Sequence, residues 1–230
     1  MRYRENIESR FTARHKACIE FSSNVKGQIV LDIGCWIGWY EKFMTEKGCK
    51  FIVGIDLDRG ALRKAKKGVS ADKCAFVCAS ANTLPFKAGS FDAISLFDVL
   101  EHLPEGSEFS FFSEVNRILE ANGLLMVSVP NNRSVSKVLD PAYFLIGHRH
   151  YALDGIRGLM EKTGFSICKV EYGGGIVEAL SMILLYFFKH LFRVEVPFKS
   201  FLEYLRNKEY HGKGFATLFV KALKIEWLKD

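Results

Sequence analysis

The stretch from Ile29 to Asp58, IVLDIGCWIGWYEKFMTEKGCKFIVGIDLD, constrains the fold of this chain more than any other. Ile29, Val30, Leu31 and Ile33 make a β-branched apolar run that fits a central strand buried on both faces of a parallel sheet. Gly34 ends the run. Tyr40, Phe43 and Met44 then recur at helical spacing between charges, which predicts a helix from Trp39 to Lys47 stopped by Gly48. A second apolar run, Phe51 to Ile55, delivers Asp56 at its carboxyl end, about twenty residues past the glycine turn. This strand, turn, helix and strand form a βαβ unit of the kind that binds an adenosine group beyond its strand ends. Gly34 and Gly38 stand where backbone would approach a ligand, and the two oxygens of Asp56 can accept from both ribose hydroxyls. A βαβ unit with a tight turn and no ligand is the plainer alternative.

A dinucleotide would need G-x-G-x-x-G, so that its pyrophosphate rests on the helix N-terminus. Here the turn reads Gly34-Cys35-Trp36-Ile37-Gly38, with a bulky Trp36 in place of the middle glycine and Asp32 just upstream. A negative charge there suits a cation, such as a sulfonium with a free amino group, better than a pyrophosphate. Asp32-x-Gly34-x-x-x-Gly38 with Asp56 downstream resembles the first two motifs of class I S-adenosylmethionine-dependent methyltransferases. The resemblance implies S-adenosylmethionine as cofactor. It also implies that Asp32 helps hold the amino acid end, that Gly34, Cys35 and Gly38 pack close to the ligand, and that Asp56 and Leu57 meet its ribose side.

Further motifs follow at the same family's spacing. Cys74 to Cys78 is a third strand, and Ala79-Ser80-Ala81-Asn82-Thr83-Leu84-Pro85-Phe86 resembles the G-D-A-x-x-L-P-F loop of methyltransferases typified by ubiquinone and menaquinone biosynthesis enzymes. In that subfamily an acid accepts from the adenine amino group; Ser80 stands in its place, and Ala81 offers its backbone to the ring. SFDAISLFDVLEHLP, from Ser90 to Pro104, resembles the same subfamily where a strand end lines the methyl-transfer pocket, which makes Phe97 and Asp98 wall residues. His102 is the nearby side chain whose ordinary pKa lets it take a proton near neutrality, or else it caps and packs. Methyl transfer from a sulfonium is a direct displacement, so positioning the nucleophile can supply much of the acceleration without a base.

Strand and helix alternate through the rest of the chain. Ala61 to Lys67 reads as a short basic helix, Ala93 to Phe97 as the fourth strand, and Phe109 to Leu119 as a helix stopped by Asn122-Gly123. Leu124 to Val129 is the fifth strand, Leu153 to Thr163 a helix closed by Gly164, and Phe165 to Tyr172 the sixth strand. The predicted fold is α/β, a Rossmann-like doubly wound sheet of seven mostly parallel strands, with an antiparallel last strand at Gly214 to Leu223 and a helical insert before it. Residues 133 to 152 read as a loop that carries substrate determinants: Tyr143, His148, Arg149, His150 and Tyr151. His148 and His150 alternate and share a face if extended. Two histidines without an acidic cluster fall short of a metal site, so with Tyr151 and Asp98 they are read as substrate contacts or structure, and no metal is expected.

A chain of 230 residues can bury a full core as one domain. Its predicted parts are a helical segment at 1–26, a cofactor-binding core at 27–172, an insert at 173–213, and a final strand and tail at 214–230. Arg2, Arg4, Arg10, Arg14 and Lys16 make either a cationic face or a solvated one. The six cysteines include no C-x-x-C pair, so neither a zinc knuckle nor a redox dithiol is indicated. The N-terminus lacks a signal-peptide core, which points to the cytosol. A net charge of +6 does not call for nucleic acid, and neither an N-P-P-Y motif nor an RNA-binding appendage is present.

In the insert, the apolar run from Ala179 to Phe188 is too short to span a bilayer and richer in Leu, Ile and Phe than one helix face needs. It is either a lid packed on the sheet or on a second copy in a homodimer, or an interfacial helix. As an interfacial helix it would make peripheral membrane contact through 176–193, with Lys189, His190, Arg193 and Lys199 toward anionic lipid. The leading expectation is methyl transfer from S-adenosylmethionine to O, N or C of a small-molecule or lipid-linked acceptor. A non-catalytic cofactor-binding or regulatory protein of this fold is the alternative. A nicotinamide oxidoreductase is disfavoured by the glycine spacing and by Asp32.

Overall fold

The computed structural model describes residues 11–22, 25–70, 72–188, 198–210 and 214–225. The expected roles of Arg2, Arg4, Arg10, Lys189, His190 and Arg193 fall outside them. After helix α1 (Ala13–Phe21), the βαβ unit is β1 (Ile29–Ile33), α2 (Trp39–Glu46) and β2 (Phe51–Asp56), followed by α3 (Arg59–Gly68) and β3 (Cys74–Cys78). Next come β4 (Phe91–Phe97), a 3-10 turn at Leu100–His102, α4 (Glu108–Ile118) and β5 (Leu119–Pro130). The remainder is α5 (Ser134–Val138), α6 (Pro141–Ile146), α7 (Leu153–Lys162), β6 (Phe165–Gly173), α8 (Ile176–Phe187), α9 (Lys199–Tyr210) and β7 (Thr217–Lys224).

The strands form one seven-stranded sheet in the order β3-β2-β1-β4-β5-β7-β6. β7 runs antiparallel to both neighbours, and the other pairs are parallel. Because β1 contributes residues to both faces, each must be covered. Val30, Ile52 and Ala93 pack with Tyr40, Met44 and Ala65, while Leu31, Ile94 and Leu96 pack with Phe112, Val115 and Ile156. The chain leaves β1 toward β2 on one side and β4 lies on the other, so their carboxyl ends open a crevice at the point where the strand order reverses.

Two expectations about local structure change. Residues 133 to 152 include α5 and α6, with Pro141 at the first position of α6, where a missing N–H costs nothing. The fifth strand begins at Leu119, five residues earlier than Leu124, and Asn122 sits within it at φ +58°.

α8 and α9 are tied by charge. The Glu209 carboxylate accepts from the backbone N–H groups of Gly175, Val177 and Glu178 at 2.8, 2.8 and 2.7 Å, so α9 caps the open N-terminus of α8. Arg206 donates through Nε and Nη2 to the two Glu178 oxygens at 2.5 and 2.8 Å, and Glu203 accepts from the backbone N–H of Ala13 at 3.1 Å. The insert and α1 therefore form one cover. No helix among the described residues is long and apolar enough to cross a membrane.

Candidate functional site: a cleft and a covered cavity at the strand ends

A cleft of about 360 Å³ opens beyond β1, β2 and β4, lined by Ile33, Gly34, Trp36, Ile55, Asp56, Leu57, Ala79, Ala81, Asp98, Val99, His102 and Leu103. The turn that forms it is fixed by the backbone, since Gly34 and Cys35 both donate N–H to the Ile55 carbonyl, at 2.8 and 3.0 Å. Gly34 has φ +80°, and a Cβ there would lie 2.3 Å from Val99 Cγ2. Only glycine fits. Asp56 accepts from the N–H of Trp36 at 2.8 Å and of Asp58 at 2.8 Å, one on each oxygen, which orients the carboxylate and leaves a second lone pair on each.

Several expected cofactor residues stand elsewhere. Gly38 is left-handed at the start of α2, and a Cβ there would meet the Phe76 ring and Ala65, so its smallness serves helix packing. Cys35 and Phe97 are buried in the core, Phe97 with its ring centroid 5.3 Å from that of Tyr40. The Ser80 hydroxyl accepts from the N–H of Asn82 at 3.2 Å, while Ala81 lines the cleft.

Asp32 is 2% exposed and accepts from Ser95 Oγ at 2.6 Å. Burial pushes its carboxyl up to about 7, the Ser95 hydrogen bond opposes this, and the charge of Asp56 adds to it. The folded chain thus holds a proton that the unfolded chain releases near pH 4, so Asp32 works against the ligand-free fold as pH rises from about 4 to about 7. A cation beside the carboxylate reverses that effect.

A second cavity, about 220 Å³, lies under α8 and is lined by residues that include Arg14, His102, Ser136, Asp140, His148, His150, Glu178, Ala179 and Met182. His102 lines both spaces. Burial and then the neighbouring His148 lower its pKa, so the imidazole is neutral with a free lone pair. Arg149 holds the 3-10 turn beneath it, donating through Nη2 to the carbonyls of Leu100 at 2.8 Å and Leu103 at 2.5 Å. Tyr151, expected in the substrate pocket, serves the same turn by donating to the Leu100 carbonyl at 3.0 Å. Asp98, at φ +56°, accepts from Arg14 Nη2 at 2.5 Å and Ser128 Oγ at 2.9 Å, tying α1 to the end of β4.

His148 and His150 do line the covered cavity, and they are not alone. Asp140 Oδ2 lies 3.0 Å from His148 Nδ1 and 2.9 Å from His150 Nε2, and Glu101 Oε1 lies 3.7 Å from His148 Nε2. This corrects the expectation that no acidic residues accompany the histidines. Glu101, 47 positions upstream, is brought in by the turn after β4.

The chemistry of the cleft discriminates among ligands. Among its lining residues are two carboxylates, Asp56 and Asp98, and no lysine or arginine, which disfavours a pyrophosphate. Leu57, Ala79, Ala81 and Leu103 supply flat apolar contact of the kind a nucleobase needs. The strand order, the acidic crevice and Gly34 all fit an adenosyl sulfonium. Residues 31–127 match the model of the family described as "Methyltransferase domain". Residues 31–127 are thus similar to a methyltransferase domain, and S-adenosylmethionine is the cofactor that the relatives and structural neighbours indicate.

Relatives agree on the domain. The chain is 25% identical over 192 residues to a Mycobacterium tuberculosis protein named a probable S-adenosylmethionine-dependent methyltransferase, covering 77% of this chain and 68% of that one. It is 23% identical over 159 residues to sphingolipid C9-methyltransferase 2 of Gibberella zeae, covering 64% and 30%. The crystal structure of an S-adenosylmethionine-dependent methyltransferase from Mesorhizobium loti superposes with a TM-score of 0.67 at 16% identity, covering 95% of this chain and all of that one, which shows the fold. Against three curated relatives, the chain spans 62%, 39% and 30% of their lengths.

Sequence reasoning missed Asp140 and Glu178, and it gave Arg14 and Arg149 other roles than the ones they hold here. Arg14, Arg149 and Glu178 act across long chain separations, whereas Asp140 meets His148 and His150 only eight and ten residues on.

Proposed function

We propose that the chain is a methyltransferase that moves the methyl group of S-adenosylmethionine to a lipid-linked acceptor whose polar group is seated under α8. The observation that carries this reading is the direct neighbourhood of the two spaces at His102, one acidic and open, the other covered by the insert. In it Asp56 holds the ribose, Ala81 and Leu57 flank the base, and Asp32 supplies negative charge behind the turn. When bound, the cofactor supplies an electrophilic methyl carbon. The chain supplies alignment of the acceptor by the cavity walls, exclusion of water by α8, and the His102 lone pair for a proton leaving the acceptor. The whole chain, insert included, works as one domain in this reading.

Asp56→Ala tests the cofactor site. Losing a charged acceptor of ribose hydroxyl bonds should weaken S-adenosylhomocysteine binding by about 1.5–3 kcal/mol in calorimetry. Unchanged affinity in a folded variant would remove the ribose contact from the account.

The acceptor class is supported by the outer face of α8. Ile176, Leu180, Ile183 and Phe187 recur at helical spacing and are exposed, and Tyr143, Phe144 and Leu145 of α6 and Phe201 and Tyr204 of α9 are exposed as well. Open apolar faces of this kind mark contact surfaces, and a relative acts on a sphingolipid. Sedimentation with anionic vesicles should carry the protein into the pellet, and Leu180→Glu with Ile183→Glu should return it to the supernatant. A wild-type protein that stays soluble with vesicles and elutes as a dimer would assign the same face to a second copy.

A further inference from the structure

We propose that Glu101, His102 and His148 form a binding site for one divalent transition-metal ion. A Glu101 carboxylate oxygen and one nitrogen from each imidazole all lie within 4.8 Å of one another. Two imidazoles and one carboxylate form a donor set that holds zinc or ferrous iron with coordination positions left open.

The Glu101 side chain is 0% exposed, and neither of its oxygens has a hydrogen-bond partner. A buried carboxylate in that condition is costly, and natural structures keep one where something binds it.

His148 is oriented for the task. With its Nδ1 proton donated to Asp140 Oδ2 at 3.0 Å, its Nε2 lone pair is left on the side of Glu101 Oε1, 3.7 Å away. Such a carboxylate behind a ligating histidine fixes the tautomer and raises the basicity of the metal-facing nitrogen. His102 completes the set, its ring centroid 4.9 Å from that of His148. Arg149 fixes the 3-10 turn that carries both Glu101 and His102, so two of the three ligands move together.

Asp140, His148 and His150 make a second group of the same size. There, however, Asp140 Oδ2 lies within hydrogen-bonding distance of both rings, so the ion would displace bonds already made. At Glu101 it would satisfy oxygens that have none. Because His102 lines both spaces, an ion held here would border each of them and could bind an acceptor oxygen, taking the lone pair that otherwise receives a proton. The site does not depend on whether the chain transfers methyl groups.

The test is calorimetric titration of chelator-stripped protein with Zn²⁺, in a background where the exposed Cys78 and Cys168 are replaced by serine. The expected result is one ion per chain, with affinity reduced by at least about tenfold in Glu101→Gln and in His148→Ala and largely retained in His150→Ala. In thermal unfolding, Zn²⁺ should raise the Tm of the wild-type chain, and Glu101→Gln should abolish that rise. The proposal is overturned by an absence of stoichiometric binding, or by binding that survives Glu101→Gln. Binding lost in His150→Ala and kept in Glu101→Gln would place the ion on the second group and overturn it as well.

Discussion

Replacing Arg206 with leucine is expected to lower the free energy of unfolding by about 3–5 kcal/mol. The Arg206 and Glu178 side chains are 3% and 4% exposed and meet through two hydrogen bonds. Removing the guanidinium leaves the Glu178 carboxylate buried without its counter-charge, in the wall of the covered cavity. It also frees Glu203, the other carboxylate that Arg206 holds and the acceptor for the first N–H of α1. A second change, Glu178→Leu, should recover most of the loss, because a well-packed apolar pair can match a buried ion pair in stability. Urea unfolding of wild type and of the single and double variants measures this. A single variant within about 1 kcal/mol of wild type would mean that solvent reaches the pair.

Gly34→Ala should affect stability and cofactor binding together. At φ +80° a non-glycine residue costs about 1–2 kcal/mol. The new methyl would stand 2.3 Å from Val99 Cγ2, and relieving the overlap costs about 1–3 kcal/mol more. Val99 lines the cleft, so any shift that relieves the clash disturbs the space meant for the adenosyl group. Gly27→Ala is the control: φ there is +75°, but nothing lies within 4 Å of the added Cβ. Chemical denaturation should show a smaller loss for Gly27→Ala than for Gly34→Ala, and calorimetry should show weakened cofactor binding for Gly34→Ala alone. Equal losses in the two variants would mean that the turn tolerates a side chain.

The fold was legible because its determinants are local and periodic. The runs at Ile29, Phe51, Cys74 and Phe165 read as strands, and Gly34 and Asp56 read as the turn and the acid at the end of the next strand. Both line the cleft. Gly38 and Phe97 read as ligand contacts because motif position does not reveal which face of the sheet a residue serves. Phe97 alternates with Leu96 and points into the opposite core cluster. The histidines were visible, whereas the acids beside them were not: Asp140 meets them between two short helices that read as loop, and Glu101 arrives through the sheet. The same limit hid Arg206, Glu209 and Glu178, whose mutual contacts make the insert a cover.

Calorimetric titration with S-adenosylhomocysteine, and separately with NAD, tests the central claim that the acidic crevice between β1 and β4 receives an adenosyl sulfonium compound. One S-adenosylhomocysteine is expected to bind per chain, with affinity weakened by Asp56→Ala, and NAD is expected to show no measurable binding. Binding of NAD in place of S-adenosylhomocysteine, or of neither, would contradict it.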